Sequence, residues 1–123
     1  MSKRALVADD SSTMRRILIH SLRAVGVESA TEAADGSEAV TLFKPGEFDV
    51  VLTDWSMPGK SGLELIQEIR AMDTVVPIIM VTTEAEKGRA AQAIQAGLSD
   101  VLVKPFTAET LRQKLHKHGL RSP

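Results

Sequence analysis

The chain has 123 residues, with no cysteine, no tyrosine, one tryptophan and three phenylalanines. Without cysteine there are no disulfides, no thiolate metal ligands and no thiol nucleophile, which fits a reducing compartment. Charge of one sign is not in excess. Fifteen basic residues stand against 16 acidic ones for a net charge of -1, so no basic face for nucleic acid is implied. No apolar run approaches the roughly 20 residues of a membrane span. The N-terminal MSKRALVADD turns acidic before a stretch of signal-peptide length can form. Low-complexity segments, long linkers and repeated sequence units are all missing. What remains is a 43% hydrophobic chain of a length that suits one domain. The expectation is a soluble, cytoplasmic domain over 1–123, with neither nucleic acid nor membrane as a partner.

Helical and strand periods alternate along it. Ala5–Ala8 is a short apolar run ending in the cap-rich Asp9-Asp10-Ser11-Ser12. Met14, Ile17, Leu18, Ser21, Leu22 and Val25 then recur at helical spacing up to Gly26. Val27–Ala33 alternates as a more exposed strand. Asp35-Gly36 opens a second helix through Ala39, Val40 and Phe43, stopped by Pro45-Gly46. Val50–Thr53 reads as a strand buried on both faces. Leu63, Ile66 and Ile69 mark a third helix, and Ile78–Val81 is the most apolar strand. Glu84–Ala96 reads as one Ala-rich helix ending at Gly97, followed by a strand over Val101–Val103 and a helix around Leu111 and Leu115. Five βα units predict an α/β fold, a five-stranded parallel sheet wound on both faces.

Four of those strands end on polar residues: Asp9-Asp10, Asp54, Thr82 and Lys104. Each alone reads as a helix cap, a turn starter, a β-branched strand end or a surface amine. Together they fall where open α/β sheets bind ligands, outside the carboxyl ends of the strands. Three clustered carboxylates repel and raise each other's pKa unless a cation is present. A hard divalent ion such as Mg²⁺, which accepts partial carboxylate cages, relieves that repulsion. Asp54, on the strand expected at the centre, is already ionised at neutral pH and suits nucleophilic attack on phosphorus. Lys104 and the metal would neutralise the transferring oxygens, with the Thr82 hydroxyl as a further donor.

The segments VADDSSTMRR, DWSMPGKSG, MVTTEAEK and VLVKPF resemble the receiver domain of two-component response regulators, most closely the single-domain, chemotaxis-type members. The resemblance covers about residues 3–118 and implies the flavodoxin-like strand order 2-1-3-4-5. It implies Asp54 as phospho-acceptor, Asp10 as a direct Mg²⁺ ligand, Asp9 as an acidic partner acting through water, and the Ser56 backbone carbonyl as a further ligand, with Mn²⁺ as a substitute metal. It makes Thr82 the switch hydroxyl, Lys104 its counter-charge and the peptide before Pro105 cis. Ser56 and Glu84 become the positions that tune phosphate loss. The donor would be a phosphohistidine on a sensor kinase or phosphotransfer protein, or a small acyl phosphate. The receptor would be a downstream target protein meeting the helix 4–strand 5–helix 5 face: Lys87, Arg89, Val101, Val103, Phe106, Thr107 and Lys114. Such a chain is a switch that assists its own loading and unloading, not an enzyme on a separate substrate. It would be a monomer, or a weak dimer when phosphorylated.

Departures from the family pattern also carry expectations. Val101 stands where many receivers have an aromatic toggle, so relay to the surface would depend on backbone shifts of the loop after strand four and of helix four. Thr83 is bulkier than the usual Ala and would narrow the approach to Asp54. Trp55 reads as a partly buried surface aromatic, His116 and His118 as solvated helix-end residues, and Arg15 and Arg16 as a solvated helix face with a kinase-docking alternative. Phe106 is either a core aromatic or a contact residue. A phosphorelay intermediate or a regulator of another pathway fits the same motifs. So does, in another class, a Mg²⁺-dependent Asp-nucleophile phosphatase, although Ser56 stands where that class has a second acid. A flavin carrier lacks its phosphate loop here, and a receiver that has lost phosphorylation would not need the full set of five site residues.

Overall fold

The computed structural model describes residues 3–120. Five parallel strands, β1 (Arg4–Ala8), β2 (Ser29–Ala33), β3 (Val50–Thr53), β4 (Ile78–Thr83) and β5 (Asp100–Lys104), lie in the order β2-β1-β3-β4-β5. Five helices follow them in turn: α1 (Ser12–Ala24), α2 (Gly36–Leu42), α3 (Gly62–Met72), α4 (Ala90–Ala96) and α5 (Ala108–Lys117). This is the flavodoxin-like doubly wound arrangement.

Strand periodicity divides the core. Ala5, Val7, Val50, Leu52, Ile79, Val81 and Leu102 face Leu18 and Leu22 of α1 and Leu111 and Leu115 of α5. Their neighbours Leu6, Ala8, Val51, Ile78 and Met80 face Ala39 of α2, Leu65, Ile66 and Ile69 of α3 and Ala93 of α4. Central strands covered on both faces have to be apolar at successive positions, and all four residues of β3 are buried. Among the described residues no helix is long and apolar enough to cross a membrane.

Two elements depart from their sequence patterns for local reasons. β2 starts at Ser29, not Val27, because the Val27 N–H is spent on the Leu22 carbonyl (2.9 Å) closing the end of α1. The expected single helix over Glu84–Ala96 is instead a 3₁₀ helix, Glu84–Arg89, continued by α4. The Thr83 side chain caps it by accepting from Glu86 N at 3.3 Å. It contains Gly88 and none of its six residues is buried. With no packed face, tertiary contacts do not enforce the α form there. β4 and β5 each reach further than their apolar runs, pairing Thr83 with Lys104 and Ile79 with Asp100.

Asp100 anchors α5 to the amino end of β5. Its Oδ1 accepts from Lys114 Nζ at 3.0 Å and from Val101 N at 2.8 Å, and its Oδ2 lies 2.9 Å from His118 Nε2. His118 is therefore paired and partly buried, not solvated as expected, and Lys114 pairs with Asp100 while remaining partly exposed. Burial raises the Asp100 pKa, but the hydrogen bonds from His118, Val101 and Lys114 outweigh it and hold the group at about 2. Stability from this carboxylate is therefore present above its ordinary value of 3.8 and lost as pH falls towards about 2. Asp100→Asn is expected to lower the unfolding free energy by about 1–2 kcal/mol near neutral pH, after allowing for solvent screening. In denaturant titrations, that difference should shrink across the interval from 3.8 to about 2.

Candidate functional site

The carboxyl ends of β1, β3, β4 and β5 deliver the site residues to one edge of the sheet. Asp9 follows β1 and continues the ladder, its N–H donating to Ala33 O at 3.1 Å. Its side chain is 2% exposed. Oδ1 accepts from Ser11 N at 2.9 Å, which leaves Oδ2 buried without a hydrogen-bond partner. Asp54 follows β3 and is half-buried; its N–H donates to Ala8 O at 2.9 Å, and its Oδ1 accepts from Trp55 N at 2.8 Å. Asp10 is exposed at the rim. One carboxylate oxygen from each of Asp9, Asp10 and Asp54 lies within 4.8 Å of the others.

Electrostatics follow from that crowding. Burial, and then the neighbouring Asp9 carboxylate, push the Asp54 pKa up against the opposing Lys104 charge. Burial likewise raises Asp9, opposed by the Ser11 N–H and by Lys104. Thr82, 1% exposed, is the penultimate residue of β4, and its Oγ1 lacks a hydrogen-bond partner. An unpaired carboxylate oxygen and an unpaired hydroxyl are costly to bury. The donor set is all oxygen and carries three negative charges, which fits a hard divalent cation such as Mg²⁺ or Mn²⁺.

Close packing fixes the loop after Asp54. Gly62 N donates to Trp55 O at 2.7 Å, and a Cβ on Gly62 would sit 2.4 Å from Asp54 O. Lys60 lies against the start of α2, where a Cβ on Gly36 would meet Lys60 O at 2.4 Å. Ser61 and Glu64 form a capping box that starts α3. Ser56, between these restraints, is exposed.

The structure revises several surface assignments. Trp55 is buried in the α2–α3–α4 side of the core, with the Arg89 guanidinium 5.6 Å from its ring centroid. Arg89 thus belongs to the site's surroundings as much as to an outer face. Arg15 is not solvated: it pairs with Glu32 at 2.9 Å and donates to Asp9 O at 2.7 Å. Arg16 is exposed. The Thr83 hydroxyl serves the 3₁₀ cap, while Glu84 is exposed and lies 3.9 Å from Lys87. Phe106 packs on the α1–α5 side of the core, and Thr107 caps α5 by accepting from Thr110 N at 3.0 Å. Val101 packs against the opposite core, and Val103 is half-buried on β5. The Lys104–Pro105 peptide is cis. Glu86 was not singled out by sequence, yet its charge raises Asp54. The signal was available in the i, i+3 spacing from the capping Thr83.

Residues 5–116 match the model of the response regulator receiver domain. The chain is 46% identical over 114 residues to chemotaxis protein CheY-3 of Vibrio cholerae, covering 91% of this chain and 88% of that protein. The solved chemotaxis response regulator CheY4 of V. cholerae superposes with a TM-score of 0.85 at 32% identity, over 96% of this chain and 99% of that one. The receiver domain of sensor histidine kinase PA1611 from Pseudomonas aeruginosa, with magnesium coordinated in its active site cleft, does so with a TM-score of 0.80 at 30% identity, over 95% and 97%. The fold and acidic edge define a two-component signalling module. This chain belongs to the response regulator receiver domain family, whose members act as signalling switches rather than as enzymes on separate substrates.

A raised carboxylate pKa makes the metal-free fold more stable as pH falls from neutrality towards the ordinary value of 3.8, because the folded chain then binds more protons than the unfolded one. Thermal unfolding without divalent ions should follow that slope, and millimolar Mg²⁺ should flatten it. Asp9→Asn should raise the metal-free midpoint by roughly 2–6 °C and abolish the Mg²⁺ response.

Proposed function

We propose that the chain is a stand-alone response regulator whose Asp54 accepts a phosphoryl group from a phosphohistidine on a sensor kinase or phosphotransfer protein. The convergence of Asp9, Asp10 and Asp54 within 4.8 Å, with Lys104 acting electrostatically on both Asp9 and Asp54, carries this reading. Asp9, Asp10, Asp54 and the Ser56 backbone carbonyl would hold Mg²⁺, with Mn²⁺ as a substitute, and the related magnesium-bound receiver supports that choice. When bound, the ion supplies positive charge to the phosphoryl oxygens and to the crowded carboxylates.

The Trp55 N–H orients Asp54 by holding Oδ1, leaving its other oxygen to attack phosphorus. The new O–P bond forms as the P–N bond of the donor breaks, and the departing imidazole keeps the electron pair and takes a proton. Lys104 offsets charge on the transferred group. The buried Thr82 hydroxyl, unpaired in the unloaded chain, has a ready acceptor in a phosphoryl oxygen. Moving to it would draw on the end of β4 and the 3₁₀ helix that follows, and so alter the α4–β5–α5 face on which a target protein binds. Water later attacks the acyl phosphate and restores the carboxylate.

The chemotaxis names of the similar V. cholerae proteins favour a chemotaxis pathway. A phosphorelay intermediate uses the same site and differs only in passing the group to a further histidine. An Asp-nucleophile phosphatase would turn over phosphate esters repeatedly.

Incubation with acetyl phosphate and Mg²⁺, read by intact mass, should add one phosphoryl group. Asp54→Asn or a chelator should abolish it, and Lys104→Ala should slow or weaken the response on the order of tenfold or more. Thr82→Ala should still load but lose the change at α4, seen as unaltered amide shifts there. No adduct in the wild-type chain, with no response to beryllofluoride, would sink the reading. Sustained turnover of phosphate esters would favour the phosphatase instead.

A further inference from the structure

We propose that Arg89 is a positioning residue for Asp54, acting through the Trp55 ring, and that this contact couples the start of α4 to the acceptor. The inference rests on the reading of Asp54 as acceptor, but its structural half stands without it.

Three observations converge on this contact. Trp55 is 9% exposed, and its backbone N–H holds Asp54 Oδ1 at 2.8 Å, so displacement of Trp55 moves the donor that orients the carboxylate. The Arg89 guanidinium carbon stands 5.6 Å from the Trp55 ring centroid, within cation–π range. Arg89 is also where the 3₁₀ helix gives way to α4, and as the residue preceding α4 it makes no side-chain capping bond. Its side chain is directed to the tryptophan instead.

The 3₁₀ helix buries no residue, and six residues is long for this conformation, whose runs usually stop at three or four. Its fastening at the start is Thr83, which accepts from Glu86 N and contacts Glu86 Oε1, both at 3.3 Å. At its far end the fastening is Arg89 on Trp55. Such a segment opens readily, and a contact at its end sets how often it does.

The charges give the contact a direction. Glu86 and Arg89 are three apart on this segment with opposite signs. A phosphoryl group adds negative charge to Asp54, on which the Glu86 charge already acts and which adjoins Trp55 in the chain, so it disfavours the Glu86 approach and favours the Arg89 cation held over the Trp55 ring. Loading therefore alters the balance that seats Arg89 on Trp55. Conversely, seating Arg89 alters the backbone donor to Asp54. Coupling of this kind is reciprocal.

The test compares the wild-type chain with Arg89→Lys and Arg89→Met by hydrogen exchange and Trp55 emission, with and without acetyl phosphate and Mg²⁺. Arg89→Met keeps the long apolar stem and removes the cation; Arg89→Lys keeps a cation with poorer stacking. Without donor, Arg89→Met should speed exchange of the amides over 85–96 about tenfold and shift the Trp55 emission, leaving β1 and β3 amides unchanged, with Arg89→Lys intermediate. With donor, the wild-type chain should change at Trp55 and at 85–96 together. Arg89→Met should load, as judged by mass, but at a different rate and without the linked change. Exchange and emission in Arg89→Met within twofold of the wild type without donor would overturn the contact's role. A linked response preserved in loaded Arg89→Met would overturn the coupling. A wild-type chain that gains no phosphoryl mass would overturn the reading of Asp54 and the coupling with it, while the donor-free comparison decides the positioning contact by itself.

Discussion

Mutual repulsion among the carboxylates of Asp9, Asp10 and Asp54 is the constraint to which the rest of the molecule is fitted. Bringing them within 4.8 Å, with one Asp9 oxygen buried and unpaired, costs free energy that a lone surface cluster would relieve by spreading apart. The sheet prevents that. Ala8 and Thr53 are in register on adjacent strands, Asp54 N is tied to Ala8 O and Asp9 N to Ala33 O, so the two acidic ends cannot separate without breaking the ladder. Packing of the strands on both faces supplies the rigidity, and the unrelieved charge is what a bound cation would offset on the proposed reading of the site.

Most of the architecture was legible because strand and helix periods differ and the strands are buried on two sides. Val50–Thr53 is an uninterrupted apolar and β-branched run, and it is a strand over those same residues. Legibility failed where short-range chemistry competed with periodicity. The 84–96 segment is Ala-rich, but none of the residues in its first half is buried, and the capping Thr83 with Gly88 settles it as 3₁₀. β2 starts later than its alternation suggests, because the pattern of Val27 does not disclose that its N–H is committed to Leu22 O.

The candidate site was readable as a set of strand ends, since topology alone sends Asp9, Asp54, Thr82 and Lys104 to one edge. What lay around it was not. Arg15 reaching Asp9 O, Arg89 lying over Trp55, and His118 meeting Asp100 are contacts between elements distant in sequence. No helical or strand period encodes them, and long charged side chains on helices look solvated until their neighbours are known. Val101 illustrates the same limit in reverse. Its identity excludes a large rotating ring, but only the fold puts it against the α2–α3–α4 core, where a small side chain packs without needing to move.

The two glycine contacts give the loop between β3 and α3 an unequal tolerance for change. At Gly62 and at Gly36 a methyl group would collide with a backbone carbonyl at 2.4 Å, so the loop is clamped once against Asp54 O and once where Lys60 meets α2. Between those clamps Ser56 and Pro58 project into solvent. Length and path are therefore fixed while the chemistry of the exposed positions is free. Side-chain replacement at Ser56 would leave the scaffold that made the site undisturbed, so that, on the proposed reading of Asp54, the timing of the switch can change apart from its existence.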